Sequence, residues 1–194
     1  MKTLTMLALF LFLVSSAAMS QSHDAQEERN TALIQSAFDG DLRGVEAAIA
    51  KGADVDATGP KDRTAMLWAA ANGHYEVVEF LHSKNADIDK GDSNGQTPLI
   101  FAVRGSHVDI VRFLLDSGAK VDVQSKKQGM TALIAAAAVG NVEVVKLLLE
   151  HGADKELVQW NGWSALDRAR QFEHPEIIVL LGGEPAENAD DSDS

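Results

Sequence analysis

The chain has 194 residues, of which 45% are hydrophobic and 24% charged, which is enough apolar material for one compact domain and too little chain for two large ones. Its 29 acidic residues outnumber its 17 basic residues, and the formal net charge of −12 argues against binding to nucleic acid or to an anionic membrane surface. Because the chain has no cysteine, a disulfide-stabilised scaffold and a catalytic thiol are both excluded.

Residues 1–20 predict a secretory signal peptide. Lys2 precedes an apolar run of 11 residues, Leu4 to Val14, and small residues follow. The small residues allow cleavage before Met19 or before Gln21, and Gln21 is the preferred mature N-terminus. A membrane-spanning helix needs roughly 20 apolar residues, so an uncleaved anchor is the less favoured alternative. We therefore expect a periplasmic or secreted protein with no further membrane association.

Five segments of the chain begin alike, at spacings of 33 or 34 residues. Each opens with a hydroxyl residue able to cap a helix and then runs apolar at helical spacing, from Thr31, Thr64, Thr97, Thr131 and Ser164. A second apolar set follows about thirteen residues later in each segment. The pattern predicts five helix-turn-helix repeats over residues 28–183, divided at about 28–58, 59–91, 92–124, 125–158 and 159–183.

The repeat pattern resembles the ankyrin repeat, and the match is fullest from Asp92 to Asp122, which includes Thr97-Pro98-Leu99 and Gly118-Ala119. The resemblance implies an all-α solenoid with β-hairpin-like connections. The histidine that the family places after the leucine is replaced by Ile34, Leu67, Ile100, Ile134 and Asp167. We therefore expect apolar packing, rather than a polar network, to hold the stack together. An extra residue within 125–128 is expected to lie in a connection.

The segments outside the repeats are predicted to be irregular. Residues 21–27 are expected to form a linker. Residues 184–194 contain five acids and only small apolar side chains, which predicts a disordered, solubilising tail.

No catalytic or metal-binding pattern is found, and we expect neither an enzyme nor a cofactor. The chain has no Gly-x-Ser-x-Gly elbow and no phosphate-binding loop. His74 with Glu76 and Glu79 lacks a second nearby imidazole, and the acidic stretch from Asp87 to Gly95 lacks the order of a calcium loop, so a hairpin tip explains it better. Three histidines share one register, which favours a structural role at helix starts: His74, His107 and His174.

The resemblance implies that a partner protein binds the hairpin tips and the concave side of the first helices. The candidate contact residues are Lys61, Arg63, Trp68, Asn94, Gln96, Phe101, Arg104, Met130, Trp160 and Trp163. Trp160 and Trp163 are the strongest candidates because tryptophan often dominates interface energies. Alternatively, either of them covers the last repeat, and Trp68 and Phe101 pack between repeats.

The expected function is that of a monomeric module that binds another protein in the bacterial cell envelope. Small exported bacterial ankyrin proteins resemble the chain in size and layout, and by analogy the partner could be a periplasmic stress-defence enzyme. Two alternatives remain open: a carrier of a small ligand or cofactor in an aromatic groove, and a secreted effector that binds a host protein.

Overall fold

The computed structural model describes residues 22–184, so the predicted signal peptide and all of the acidic tail except Glu184 lie outside the described residues. This part of the chain forms helices α1 (22–39), α2 (Leu42–Ala50), α3 (Ala65–Asn72), α4 (Tyr75–Ser83), α5 (Pro98–Arg104), α6 (Val108–Asp116), α7 (Ala132–Val139), α8 (Val142–Glu150), α9 (Ala165–Gln171) and α10 (Pro175–Leu180). They are arranged as five successive pairs, which confirms the predicted all-α solenoid. Between residues 22 and 184, no helix is both long enough and apolar enough to cross a membrane.

The first helices of repeats two to five begin where the sequence predicts. The hydroxyl of Thr64 accepts a hydrogen bond from the Leu67 N–H at 3.2 Å, and Thr97 and Thr131 cap α5 and α7 in the same way. Ser164 caps α9. These caps satisfy N–H groups that have no partner within the helix.

The first repeat differs from the prediction. Residues 22–30 already belong to α1, so Thr31 lies inside a helix instead of capping one. The expected linker over 21–27 is helical from residue 22 onward. The segment contains neither glycine nor proline and is rich in good helix formers, so nothing interrupts the helix before Gly40. Leu33 and Ala37 anchor its later turns in the core.

The core lies between the two layers of helices. Leu67, Ile100 and Ile134 are each 1% exposed, so in repeats two to four the position of the family histidine is filled by apolar packing, as the sequence predicts. The second helices α4, α6 and α8 bury only the side that faces the first helices.

Hydrogen bonds also join neighbouring repeats, so the expectation that packing alone holds the stack is incomplete. We use the name arm for the extended segment that follows the second helix of a repeat. A carboxylate in one arm accepts a hydrogen bond from a backbone N–H in the arm of the next repeat. The three bonds are Asp87 N–H to Asp56 Oδ1 (3.0 Å), Lys120 N–H to Asp89 Oδ1 (2.9 Å) and Asp154 N–H to Asp122 Oδ1 (3.1 Å).

The repeated histidines lie at helix starts, as expected: His74, His107 and His174 immediately precede α4, α6 and α10. The side chains of His74 and His107 do not cap these helices. Instead, their Nε2 atoms lie 3.0 Å from the Phe38 carbonyl oxygen and 3.2 Å from that of Ala71, both in the preceding repeat. In the fourth repeat Asn141 takes this position and caps its own helix by accepting the Val144 N–H at 3.1 Å.

The connections between repeats form a row of hairpin-like turns, each joined to the next by a backbone hydrogen bond. Ser93 N–H bonds the Lys61 carbonyl at 2.9 Å, and Lys126 N–H bonds that of Asn94 at 2.7 Å. Within residues 22–184 there is no β-strand, only an isolated antiparallel bridge between Val158 and Ser164. The extra residue lies in the turn 125–130, as predicted, where Ser125 N–H bonds the Met130 carbonyl at 3.0 Å.

Candidate functional site

We use the name hairpin face for the surface formed by the turns 57–63, 90–96, 123–130 and 157–163 together with α3, α5, α7 and α9. All ten candidate contact residues lie in these elements. The structure does not expose them equally, and it assigns several of them to contacts within the chain.

Arg63 joins two aromatic rings from neighbouring repeats. Its guanidinium carbon lies 4.5 Å from the ring centroid of Trp68 and 4.9 Å from that of Phe101. Both rings are half-buried, so they pack between repeats and also contribute to the surface. Attraction between a cation and an aromatic face stabilises such a stack. The stack therefore presents one continuous guanidinium and aromatic surface across repeats two and three.

Phe38 extends this stack into the first repeat. Its ring meets that of Trp68 edge to face at a centroid distance of 5.0 Å and remains 42% exposed. The prediction omitted Phe38, although an aromatic residue near the end of a first helix could have indicated it.

A buried carboxylate fixes the position of Arg63. Asp92 is 2% exposed, and its Oδ1 accepts the N–H groups of Asn94 at 2.9 Å and Gln96 at 3.1 Å, which shapes the turn as the sequence predicts. Its Oδ2 lies 3.8 Å from Arg63 Nε. Asp92 thus both closes the hairpin and neutralises the cation of the stack.

The last repeat contains a second arginine–tryptophan pair with its two positions exchanged. Arg63 lies just before a cap residue and Trp68 four residues after it, whereas Trp163 lies before the cap and Arg168 after it. The Arg168 guanidinium carbon is 4.7 Å from the Trp163 ring centroid. Its Nε donates to Gln159 Oε1 at 2.8 Å, and Gln159 is buried. The prediction omitted Arg168, although it shares the register of Trp68.

Trp160 covers the enlarged fourth hairpin rather than the last repeat. Its Nε1 donates to the Lys126 carbonyl at 3.0 Å. Its ring lies so close to Gly129 that a Cβ there would come within 2.9 Å of it. The side chain is nevertheless 60% exposed and borders a shallow cleft of about 370 Å³ together with Met130 and Arg168.

A capping box orders the helix beneath this cleft. Asp167 Oδ2 accepts the Ser164 N–H at 2.8 Å and its hydroxyl at 2.7 Å, while the Asp167 N–H donates to that hydroxyl oxygen at 3.1 Å. The bond from the Ser164 backbone lowers the pKa of Asp167 most, its hydroxyl lowers it further, and the positive charge of Arg170 adds to the effect. Asp167 therefore remains ionised to lower pH than an ordinary aspartate.

Three residues of the two stretches considered for metal binding have other roles in the structure: His74, Asp87 and Asp89. His74 binds the Phe38 carbonyl, and Asp87 and Asp89 hold turns within and between arms. Over residues 22–184, no three His, Asp or Glu side chains are grouped so that they could hold a metal ion. What the hairpin face offers chemically is a set of flat rings and guanidinium groups, which suit planar, apolar and anionic ligands.

The comparison with known families agrees with this architecture. A family model described as "Ankyrin repeats (3 copies)" matches residues 6–92, 33–125 and 121–192. These overlapping matches include all five helix pairs. No curated protein matches the chain.

Proposed function

The chain belongs to the ankyrin-repeat family, and on this basis we propose that it is a non-catalytic module that binds another protein through its hairpin face. Ankyrin repeats suggest protein–protein interaction, and the exposed aromatic side chains of the hairpin face support that role here. Trp160 is 60% exposed and Trp163 37%, and Phe38 of α1, which borders the face, is 42% exposed.

The arrangement of these aromatic residues is the observation that carries the proposal. Rings held by guanidinium groups and backbone bonds are already ordered before a partner arrives, so binding costs little side-chain entropy. Tryptophan and arginine also supply large contact areas with polar edges, which is why they are enriched among the residues that dominate interfaces.

We further propose that the protein acts in the bacterial cell envelope, as a periplasmic monomer. The apolar run from Leu4 to Val14 supports export, and the lack of cysteine suits an oxidising compartment. By analogy with small exported ankyrin proteins, a periplasmic stress-defence enzyme is a candidate partner. A secreted effector that binds a host protein would use the same face, and fractionation of the source cells would separate the two.

A small-ligand carrier is the second candidate, and the cleft beside Trp160 favours it. Its volume of about 370 Å³ is within the range of ligand pockets, although it is shallow and open. Mass spectrometry of the purified protein under native conditions would reveal a retained ligand.

The main proposal is tested by affinity capture from a periplasmic extract with residues 21–194 as bait. The comparison is with the double variant Trp160→Ala, Trp163→Ala, and Val179→Ala is the control because Val179 is 57% exposed on α10, outside the hairpin face. Circular dichroism verifies that each variant is folded. A protein retained by the parent and by Val179→Ala but lost by the double variant supports the proposal. Equal capture by all three baits would refute it.

A further inference from the structure

We infer that the hairpin face binds an extended, acidic segment of a partner protein. The inference rests on the proposed function, because it specifies the chemistry of the ligand for the same face.

Charge is segregated between the two sides of this acidic protein. Residues 57–73, 90–106, 123–140 and 157–173, which comprise the hairpin face and the short turns that end its helices, contain eight Lys and Arg against four Asp and Glu, a net charge of +4. The second helices and arms, residues 41–56, 74–89, 107–122, 141–156 and 174–184, contain seven cations against 17 acids, a net charge of −10. Residues 22–40, which are in neither group, contain one Arg against four acids. The cationic face is thus the part of this acidic protein that attracts anionic ligands.

On the acidic side, formed by the second helices and the segments that follow them, three of the seven cations are paired with acids of neighbouring repeats: Arg112, Lys120 and Lys146. Arg112 lies 3.2 Å from Glu143, and Lys146 lies 2.9 Å from Glu176. These three charges are therefore neutralised within the chain.

Four cations on the hairpin face differ, because none forms an ion pair within residues 22–184. Lys61, Lys126 and Lys127 are exposed, and Arg104 contacts only the neutral side chain of Gln96, at 3.3 Å. Their charges are available to a ligand.

The positions of these cations determine the shape of the ligand. Lys61 lies in the second repeat, Arg104 in the third, and Lys126 and Lys127 in the fourth. Between them run the rings of Trp68 and Phe101. A ligand that reaches all of these groups must be extended across three repeats and must alternate acidic with apolar groups.

A protein segment fits this face better than nucleic acid. A long polyanion would also approach the side of charge −10 and the tail beyond residue 184, which adds four acids. Repulsion from those charges opposes its binding. A short acidic segment can stay within the cationic face.

All three tryptophans of the chain, Trp68, Trp160 and Trp163, lie on this face, so their emission reports directly on its occupancy. The probe is a peptide of about ten residues that alternates Glu with Val, compared with peptides that carry Gln or Lys in place of Glu. Measured at about 50 mM NaCl, where screening is weak, the Glu peptide should give a saturable change and bind at least about tenfold more tightly than the others. At about 0.5 M NaCl its affinity should fall about tenfold.

Arg104→Gln and Arg112→Gln form a matched pair within the third repeat. Both remove an exposed arginine, but Arg104 lies on the hairpin face and Arg112 on the acidic side. We expect Arg104→Gln to weaken binding of the Glu peptide about threefold to fivefold, and Arg112→Gln to change it less than about twofold.

The inference is overturned if the Glu peptide shows no saturable binding up to about 1 mM, or if the Gln peptide binds as well. Equal effects of the two arginine variants would also overturn it.

Tighter binding of a ten-nucleotide thymidine strand would assign the face to nucleic acid. If a chain that ends at residue 184 binds the Glu peptide about tenfold more tightly, the acidic tail is the ligand of the hairpin face. If the protein forms a dimer that Arg104→Gln abolishes, a second copy of the chain is the ligand. If the affinity capture retains a partner that depends on Trp160 and Trp163, but peptide binding does not depend on charge, the proposed function stands and only this inference fails. If the capture retains no such partner, the proposed function itself fails.

Discussion

Nε of Arg63 lies 3.8 Å from Oδ2 of Asp92, and within residues 22–184 neither atom has a hydrogen-bond partner. The carboxylate side chain is fully buried and that of the arginine is 20% exposed. The pair is thus held together mainly by charge, with the rings of Trp68 and Phe101 on either side of the guanidinium. Removing one partner leaves the other charge buried without compensation.

Arg63→Gln should lower the free energy of unfolding by about 2 kcal/mol or more, because it leaves the Asp92 carboxylate unpaired. Urea unfolding followed by circular dichroism measures the loss. The double variant Arg63→Gln, Asp92→Asn should lose less than the sum of the two single variants. Additive losses would mean that the two side chains do not interact.

Gly73→Ala should destabilise the protein more than Gly118→Ala. Both glycines have positive φ, +80° and +86°, so alanine is strained at either position by about 1 kcal/mol. A Cβ on Gly73 would also come within 2.6 Å of the His107 ring, whereas a Cβ on Gly118 would meet nothing within 4 Å. We expect an additional loss of about 1–2 kcal/mol for Gly73→Ala, measured by urea unfolding. Equal losses would show that His107 moves aside without cost.

Asp122→Ala should cost about 1 kcal/mol, because Asp122 accepts the backbone N–H of Asp154 in the next repeat. Asp116→Ala is the control: Asp116 also reaches the next repeat, but through a surface contact of 3.2 Å with His151 that is worth little. Thermal unfolding should therefore separate the two variants. A larger effect of Asp116→Ala would contradict this ranking.

Asp167→Asn should reduce stability at neutral pH by about 1 kcal/mol, because it weakens the capping box of α9. The pKa of Asp167 is lower in the folded protein than in the unfolded chain. The stabilisation by its carboxylate is therefore fully present above the ordinary aspartate pKa of about 3.9 and is lost as the pH falls through the lowered value. The difference between parent and variant should shrink below about pH 4 in unfolding experiments across pH. A difference independent of pH would mean that the carboxylate charge does not contribute.

Local chemistry allowed much of this fold to be predicted from the sequence. Thr64, Thr97 and Thr131 cap helices because a hydroxyl followed by an apolar helical pattern determines a helix start within a few residues. Thr31 has the same local pattern but follows a helix-forming stretch, so the helix continues through it. A pattern that begins at a cap residue cannot show whether an earlier helix already includes it.

Contacts between repeats were harder to predict. The bond from His107 to the Ala71 carbonyl spans 36 residues and depends on how closely the repeats stack. The same holds for Arg63, which the sequence predicted as a partner contact and which the structure also places between two rings and a buried carboxylate. The repeat register indicated that Arg63 and the aromatic residues lie on one face. Which of them contact each other could be learned only from the distances between repeats in the structure.

The asparagine at position 141 has a consequence for how the array moves. Imidazole side chains bridge the first repeat to the second and the second to the third. At the boundary between the third and fourth repeats the corresponding residue is Asn141, whose side chain bonds its own helix instead. We expect transient separation of the stack to start at this boundary, so that slow amide exchange reports the first three repeats as one block. Lys61 and Arg104 belong to this block, whereas Lys126 and Lys127 lie beyond it. A ligand that contacts cations on both sides of this boundary would hold the third and fourth repeats together. Its binding would therefore slow amide hydrogen exchange most at the residues around Asn141.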